Sequence, residues 1–178
     1  DRRRQPVYAF DAGKQLVVEA RDERVPRRVP RRLGRRIERG ELFLHYQPQV
    51  DVASGRAVAV EALARWEHPE RGLIPPLKFI PVAEETGQIE AIGSWVLNQA
   101  LGQVAQWRAS GFGELRVAVN MSAHQMRGDA FVNEVASGLQ RLGLPGDALE
   151  LEITESVAMR DPVRTGVLLR QLRGLGVA

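Results

Sequence analysis

The stretch VEALARWEHPERGLIPP, residues Val60 to Pro76, combines features that seldom occur together. It begins as an apolar strand pattern, yet it carries a carboxylate at Glu61 and a guanidinium at Arg65, and it stops at Pro75-Pro76. Side chains alternate across an extended chain, so Glu61, Leu63 and Arg65 share one face while Val58, Val60 and Ala62 share the other. The same counting groups Phe43, His45 and Gln47 in the preceding segment, Ala118, Asn120 and Ser122 in RVAVNMS, and Glu150, Glu152 and Thr154 in ALELEITES. Opposite these groups in the last three segments lie Val58/Val60, Val117/Val119 and Leu151/Ile153. Four strands are therefore predicted to turn an apolar face toward helices. Their polar groups, near the C-terminal end in three of them, point into a common interior.

The connections agree with this reading. ELFLHYQPQV and RAVAVEALARW are separated by the glycine-containing Asp51 to Gly55, which predicts an antiparallel hairpin. A short helix is expected from Leu77 to Glu85, closing at Thr86-Gly87, and a long amphipathic one from Glu90 to Ser110 before Gly111. RVAVNMS precedes a helix from Asp129 to Leu142. ALELEITES precedes a helix opened by Asp161-Pro162, an N-cap with proline in the first helical position. The βαβα order predicts an α/β fold, a sheet or barrel whose strands are covered on both sides.

Composition bounds the chemistry. The chain has 178 residues, is 44% hydrophobic and contains no cysteine. One domain with a core that stands without disulfides is expected, and a thiolate zinc site or a cysteine nucleophile is excluded. No apolar run reaches the roughly 18 residues of a membrane span, and the opening DRRRQ is not a signal-peptide pattern. A cytoplasmic, reducing location is expected, with any membrane anchor of a longer parent protein lying elsewhere. The net charge of +3 is uneven: residues 1–40 hold 12 Arg and one Lys against 6 acids, and residues 41–178 hold 12 basic against 16 acidic side chains. Basic character thus belongs to residues 1–37, a linker containing the tandem VPRRVPRR and an arginine stripe on a short helix after Pro30. Nucleic acid is not the expected partner, because no aromatic residues interleave with these arginines. A steep salt dependence of DNA binding, lost on deleting residues 1–36, would argue otherwise.

The interior groups ask for a cation. Burying several carboxylates and an amide without compensation costs several kcal/mol per charge, of that order for any ion leaving water. Glutamate and asparagine oxygens are hard ligands that suit Mg²⁺ or Mn²⁺ better than zinc. His45, His68 and His124 lack the spacing of a zinc motif and read as structural or surface residues. Taken singly, Glu61 could be an interior acid paired with Arg65, and Asn120 could cap the next helix. That pairing leaves Asn120 and Glu152 unexplained.

YQPQV (Tyr46 to Val50), Glu61-Ala62-Leu63 with Arg65-Trp66 and His68-Pro69, GLIPPLKFIPVAEETG, the NMS after VAV, and LEITES together closely resemble the EAL family of cyclic di-GMP phosphodiesterases. RRRQPVYAFD is similar to the tail of a GGDEF (diguanylate cyclase) domain. The resemblance implies a TIM-barrel-like α/β fold whose first strand runs antiparallel. It implies Glu61, Asn120 and Glu152 as ligands of Mg²⁺ or Mn²⁺, and Glu61, Glu152 and Glu155 as the catalytic acids, Glu155 holding an active-site loop. It further implies Gln47, Leu63 and Arg65 as nucleotide contacts, with Arg65 reaching a phosphate. The implied reaction is hydrolysis of cyclic di-GMP to linear pGpG.

In that family an Asp-Asp-Phe-Gly motif with metal-binding aspartates follows the position of LRGLGVA. A barrel of this type takes about 250 residues, and residues 38–178 supply 141. The expectation is therefore the N-terminal half of an EAL domain that does not hydrolyse the nucleotide by itself. A homodimer and an upstream GGDEF or sensor domain are further expectations. The alternative is a catalytically silent EAL domain acting as a cyclic di-GMP receptor.

Overall fold

The first two strands form because two β-rich segments are joined by a turn that closes on itself. Asp51 accepts from Ser54 through both the backbone N–H (2.7 Å) and the hydroxyl (2.6 Å), and Asp51 N–H reaches the Arg56 carbonyl. The computed structural model describes residues 40–122, 124–125, 129–159 and 161–178. The linker expected over residues 1–37, its arginine helix and the GGDEF-like tail lie outside the described residues. β1 (Leu42–Val50) pairs antiparallel with β2 (Ala57–His68), Gln47 opposite Glu61 and His45 opposite Leu63, as the hairpin predicted.

A short β3 (Gly72–Ile74) returns along the end of β2, with Trp66 opposite Ile74. It is followed by α1 (Pro76–Glu85). Pro75 is the extended residue before the helix and Pro76 its first residue, where a missing N–H breaks no helical bond. β3 lies between the predicted strand RAVAVEALARW and the helix expected from Leu77, and its three residues are too few for alternation to register. α2 (Ile89–Ala109) buries Ile92, Val96, Leu97, Ala100, Leu101, Val104 and Trp107, the three-and-four spacing of one helix face. β4 (Arg116–Asn120) then pairs parallel to β2, and after α3 (Asp129–Leu142) β5 (Leu149–Glu152) pairs parallel to β4. α4 (Glu155–Ala158) and α5 (Pro162–Gly174) complete the order. Asp161 caps α5 by accepting the Arg164 N–H at 3.1 Å.

The sheet order is β1-β2-β4-β5, with β3 on the outer end of β2. Ala178 continues it: its N–H donates to the Leu149 carbonyl and its carbonyl accepts from Leu151 N–H at 2.9 Å, a parallel bridge beside β5. The sheet is curled. The Gln49 side chain on β1 hydrogen-bonds Glu152 on β5, although in a flat sheet these end strands would stand roughly 14 Å apart, three spacings of about 4.8 Å. One face packs under the helices on Val60, Trp66, Val117 and Leu149, with Phe79 and Leu97 above. The other face lines the concave side.

Three expectations need correction. Val58, assigned to the covered face, is 38% exposed, because the β2–β4 ladder starts only at Ala59 and the hairpin projects beyond it. Ser122 and Thr154, grouped with strand faces, lie past the ends of β4 and β5. Thr154 instead caps α4 in an extended conformation, the chain having turned once the ladder ended.

Candidate active site

The curl gathers the polar faces of four strands. Glu61 and Asn120 each sit one alternation step from buried apolar neighbours, and Glu152 sits between the half-buried Leu151 and Ile153, so packing the outer face aims the inner one. Glu61 lies between Val60 and Ala62, both buried, and it is half-buried itself. Asn120 ends β4 beside Glu152, its register partner at the end of β5. Asn120 Nδ2 donates to Glu61 Oε1 at 2.8 Å. This contact removes the capping alternative: Asn120 stands nine residues before α3 and points at a carboxylate. It also orients the amide, since spending Nδ2 on Glu61 leaves Oδ1 as a free acceptor in the same group.

The second alternative fails as well. Arg65 stands four residues along the strand from Glu61, roughly 13 Å at 3.3 Å per residue, and its Nη1 donates to the Ala64 carbonyl at 2.9 Å. No ion pair joins Arg65 to Glu61 among the described residues. A guanidinium sits lower on the same sheet: Arg116 Nη1 lies 3.9 Å from Glu150 Oε2.

Electrostatics mark the cluster. Burial, then the Glu61 charge, then the Glu150 charge push the Glu152 carboxyl above the usual glutamate range, and the Gln49 hydrogen bond opposes them. Like charges that raise a carboxyl pKa are what a bound cation relieves. Two carboxylates and an amide oxygen are hard donors that fit Mg²⁺ or Mn²⁺. No three His, Asp or Glu side chains converge on one point among the described residues, so the set is two acids with an amide rather than a closed cage.

The remaining predicted residues are spread along the same concave face. Gln47 stands opposite Glu61 and is exposed, while Leu63 and Arg65 continue β2 toward its end, both half-buried. Arg65 also acts on His45: burial first and the guanidinium second hold that imidazole below its ordinary pKa. Glu155 is not brought into the group; it is exposed at the first position of α4. Two of the three histidines make local contacts. His68 Nδ1 accepts the Glu70 N–H at 3.2 Å and its ring packs on Trp66, and His45 meets the Phe43 ring edge-on at 5.1 Å. Sequence reasoning missed Gln49 and Arg116. Both share the alternation face of residues it had singled out, Gln47 and Asn120, and that was the available signal.

A curled sheet with an antiparallel first strand and parallel followers defines a partial TIM-barrel-like α/β domain, with acids gathered at its strand ends. The EAL domain family model matches residues 30–178, and the chain belongs to that family. It is 47% identical over 141 residues to the bifunctional diguanylate cyclase/cyclic di-GMP phosphodiesterase MucR of Pseudomonas aeruginosa, covering 79% of this chain and 21% of that protein. It is 40% identical over 140 residues to the cyclic di-GMP phosphodiesterase PdeR of Escherichia coli, again 79% of this chain and 21% of the relative. The chain thus spans about a fifth of the length of these relatives. Among solved structures, the MucR phosphodiesterase in complex with cyclic di-GMP superposes with a TM-score of 0.79 at 46% identity, over 83% of this chain and 60% of that one.

Proposed function

We propose that this chain is part of a phosphodiesterase that hydrolyses cyclic di-GMP to linear pGpG with Mg²⁺ or Mn²⁺. The observation that carries the reading is the 2.8 Å bond from Asn120 to Glu61 beside Glu152, an oxygen-rich group whose like charges push the Glu152 carboxyl above the usual range. The phosphodiesterase names of the relatives and the nucleotide in the MucR complex support the substrate. Glu61, Asn120 and Glu152 would hold the metal. When bound, a pair of such ions lowers the pKa of a water and stabilises charge on the attacking and leaving oxygens of a phosphodiester.

The protein's own part is orientation and charge. Gln47 and Leu63 flank the metal ligands on β1 and β2, so a nucleotide lying along the concave face contacts both. Arg65, free of any carboxylate partner among the described residues, offsets a phosphate charge. Glu155, at the start of α4, holds the loop beyond β5.

The test uses the complete protein: turnover of cyclic di-GMP to pGpG with Mg²⁺ or Mn²⁺, wild type against Glu61→Ala. Turnover falls by more than about 100-fold, since loss even of groups that merely orient a ligand costs 10–100-fold. Tight nucleotide binding without turnover in the wild type would replace this reading with a receptor.

A further inference from the structure

The turn after β4 is closed by one side chain. Gln125 Oε1 accepts the Ser122 N–H at 3.1 Å, and the Gln125 N–H donates to the Ser122 carbonyl at 3.2 Å. The same side chain rests on α2 where residue 93 is glycine. A Cβ at Gly93 would overlap Nε2 and Cδ of Gln125 and stand 2.7 Å from Oε1. Glycine inside a helix costs roughly 0.5–1 kcal/mol relative to alanine, and Gly93 is buried, so space for Gln125 is the evident reason for it.

That seat is itself firm. Ser94 donates to Glu134 of α3, Asn98 Nδ2 donates to the same Oε1 at 3.2 Å, and Arg141 Nη2 donates to Asn98 Oδ1 at 2.8 Å. At its other end the turn is tied to β5, where Met121 N–H donates to the Glu152 carbonyl at 2.8 Å. Asn120 precedes these two anchors directly.

We propose that Gln125, seated on Gly93, is a positioning residue that grips both backbone groups of Ser122 and so holds Asn120 against Glu61. Its effect on catalysis rests on the phosphodiesterase reading above; its effect on Asn120 does not. Gln125 contacts Ser122 and the space over Gly93, and its effect on the site passes through Asn120.

The experiment measures two quantities in the complete protein: hydrogen exchange of the Ser122 backbone and Asn120 side-chain amides without metal, and Mn²⁺ affinity by electron paramagnetic resonance. Gln125→Ala speeds both exchanges at least 10-fold and weakens Mn²⁺ binding by about 10-fold or more, the range for groups that orient a ligand. Gln125→Glu keeps the acceptor for Ser122 and restores most of the protection. Gly93→Ala acts like Gln125→Ala, and adds nothing in the Gln125→Ala background, because residues sharing one contact are not additive. Unchanged exchange in Gln125→Ala, or fully additive effects of the two substitutions, overturns the proposal. Wild-type Mn²⁺ binding that ignores Glu61→Ala sinks the phosphodiesterase reading, while the exchange data still decide the role of Gln125.

Discussion

Glu152 shows how a single carboxyl couples stability to function. Burial and the charges of Glu61 and Glu150 raise its pKa above that of the unfolded chain. A raised carboxyl contributes stability that is present below the unfolded value and is lost as pH rises through the folded one. Without metal, Glu152→Gln is therefore expected to melt higher than wild type at pH 7, and the two curves should converge as pH falls below the unfolded glutamate pKa of about 4.3, where the acid becomes protonated in both states. Adding Mn²⁺ reverses the order, because only the wild type gains a ligand. Melting curves at several pH values, with and without Mn²⁺, check this; a variant that is less stable at pH 7 without metal would show that the acid is held by pairing, not strained by repulsion. At this scale the alternation rule picked out Glu61, Asn120 and Glu152, and it reached Gln49 and Arg116 in principle. Gln125 was beyond it, since its role comes from a helix 32 positions earlier in the chain, at Gly93.

At the scale of elements, glycine and polar contacts decide how closely neighbours approach. Gly146, just ahead of β5, lies against the backbone that follows α5: a Cβ there would stand 2.7 Å from the Gly176 backbone carbon and would overlap the Leu175 carbonyl. Backbone cannot swing aside as a side chain can. Gly146→Ala is expected to cost about 1–3 kcal/mol, the usual penalty for overpacking, read as a lower denaturant midpoint at unchanged slope. The α2–α3 contact depends on Glu134, which accepts from both Ser94 and Asn98. Glu134→Ala leaves the Ser94 hydroxyl unmatched and Asn98 Nδ2 with only its 2.8 Å bond to the Ser94 carbonyl, and is expected to cost about 1–3 kcal/mol; a loss below 0.5 kcal/mol, about the effect of a neutral surface change, would mean that solvent already serves the hydroxyl. Element types and most of their limits were legible from periodicity, from Thr86-Gly87 and from Asp161-Pro162. The early ends of β4 and β5 were not, because their apolar alternation runs on for two residues after the ladder has stopped.

At the scale of the molecule, charge and curvature act together. Residues 41–178 carry 12 basic and 16 acidic side chains, so an anionic dinucleotide approaches a body of its own sign. Binding to the concave face is expected to need the divalent ion. On the proposed function, cyclic di-GMP at about 100 times its Kd is expected to stabilise by about 2.7 kcal/mol, roughly 5–10 °C in melting temperature for a domain of this size. In EDTA the shift should shrink below half of that; an equal shift would mean that nucleotide binding is independent of metal. No helix among the described residues is long and apolar enough to cross a membrane. The sequence by itself determined the order of the longer strands and helices, with β3 and α4 missed, the antiparallel start and most of the side chains that share a face, because these follow from local periodicity and turn chemistry. Only the tertiary structure decided that Glu61 meets Asn120 rather than Arg65, that Gln49 reaches Glu152, and that Glu155 stays outside the group. Those outcomes depend on the curl of the sheet and on where each ladder ends, which arise from packing between segments far apart in the chain.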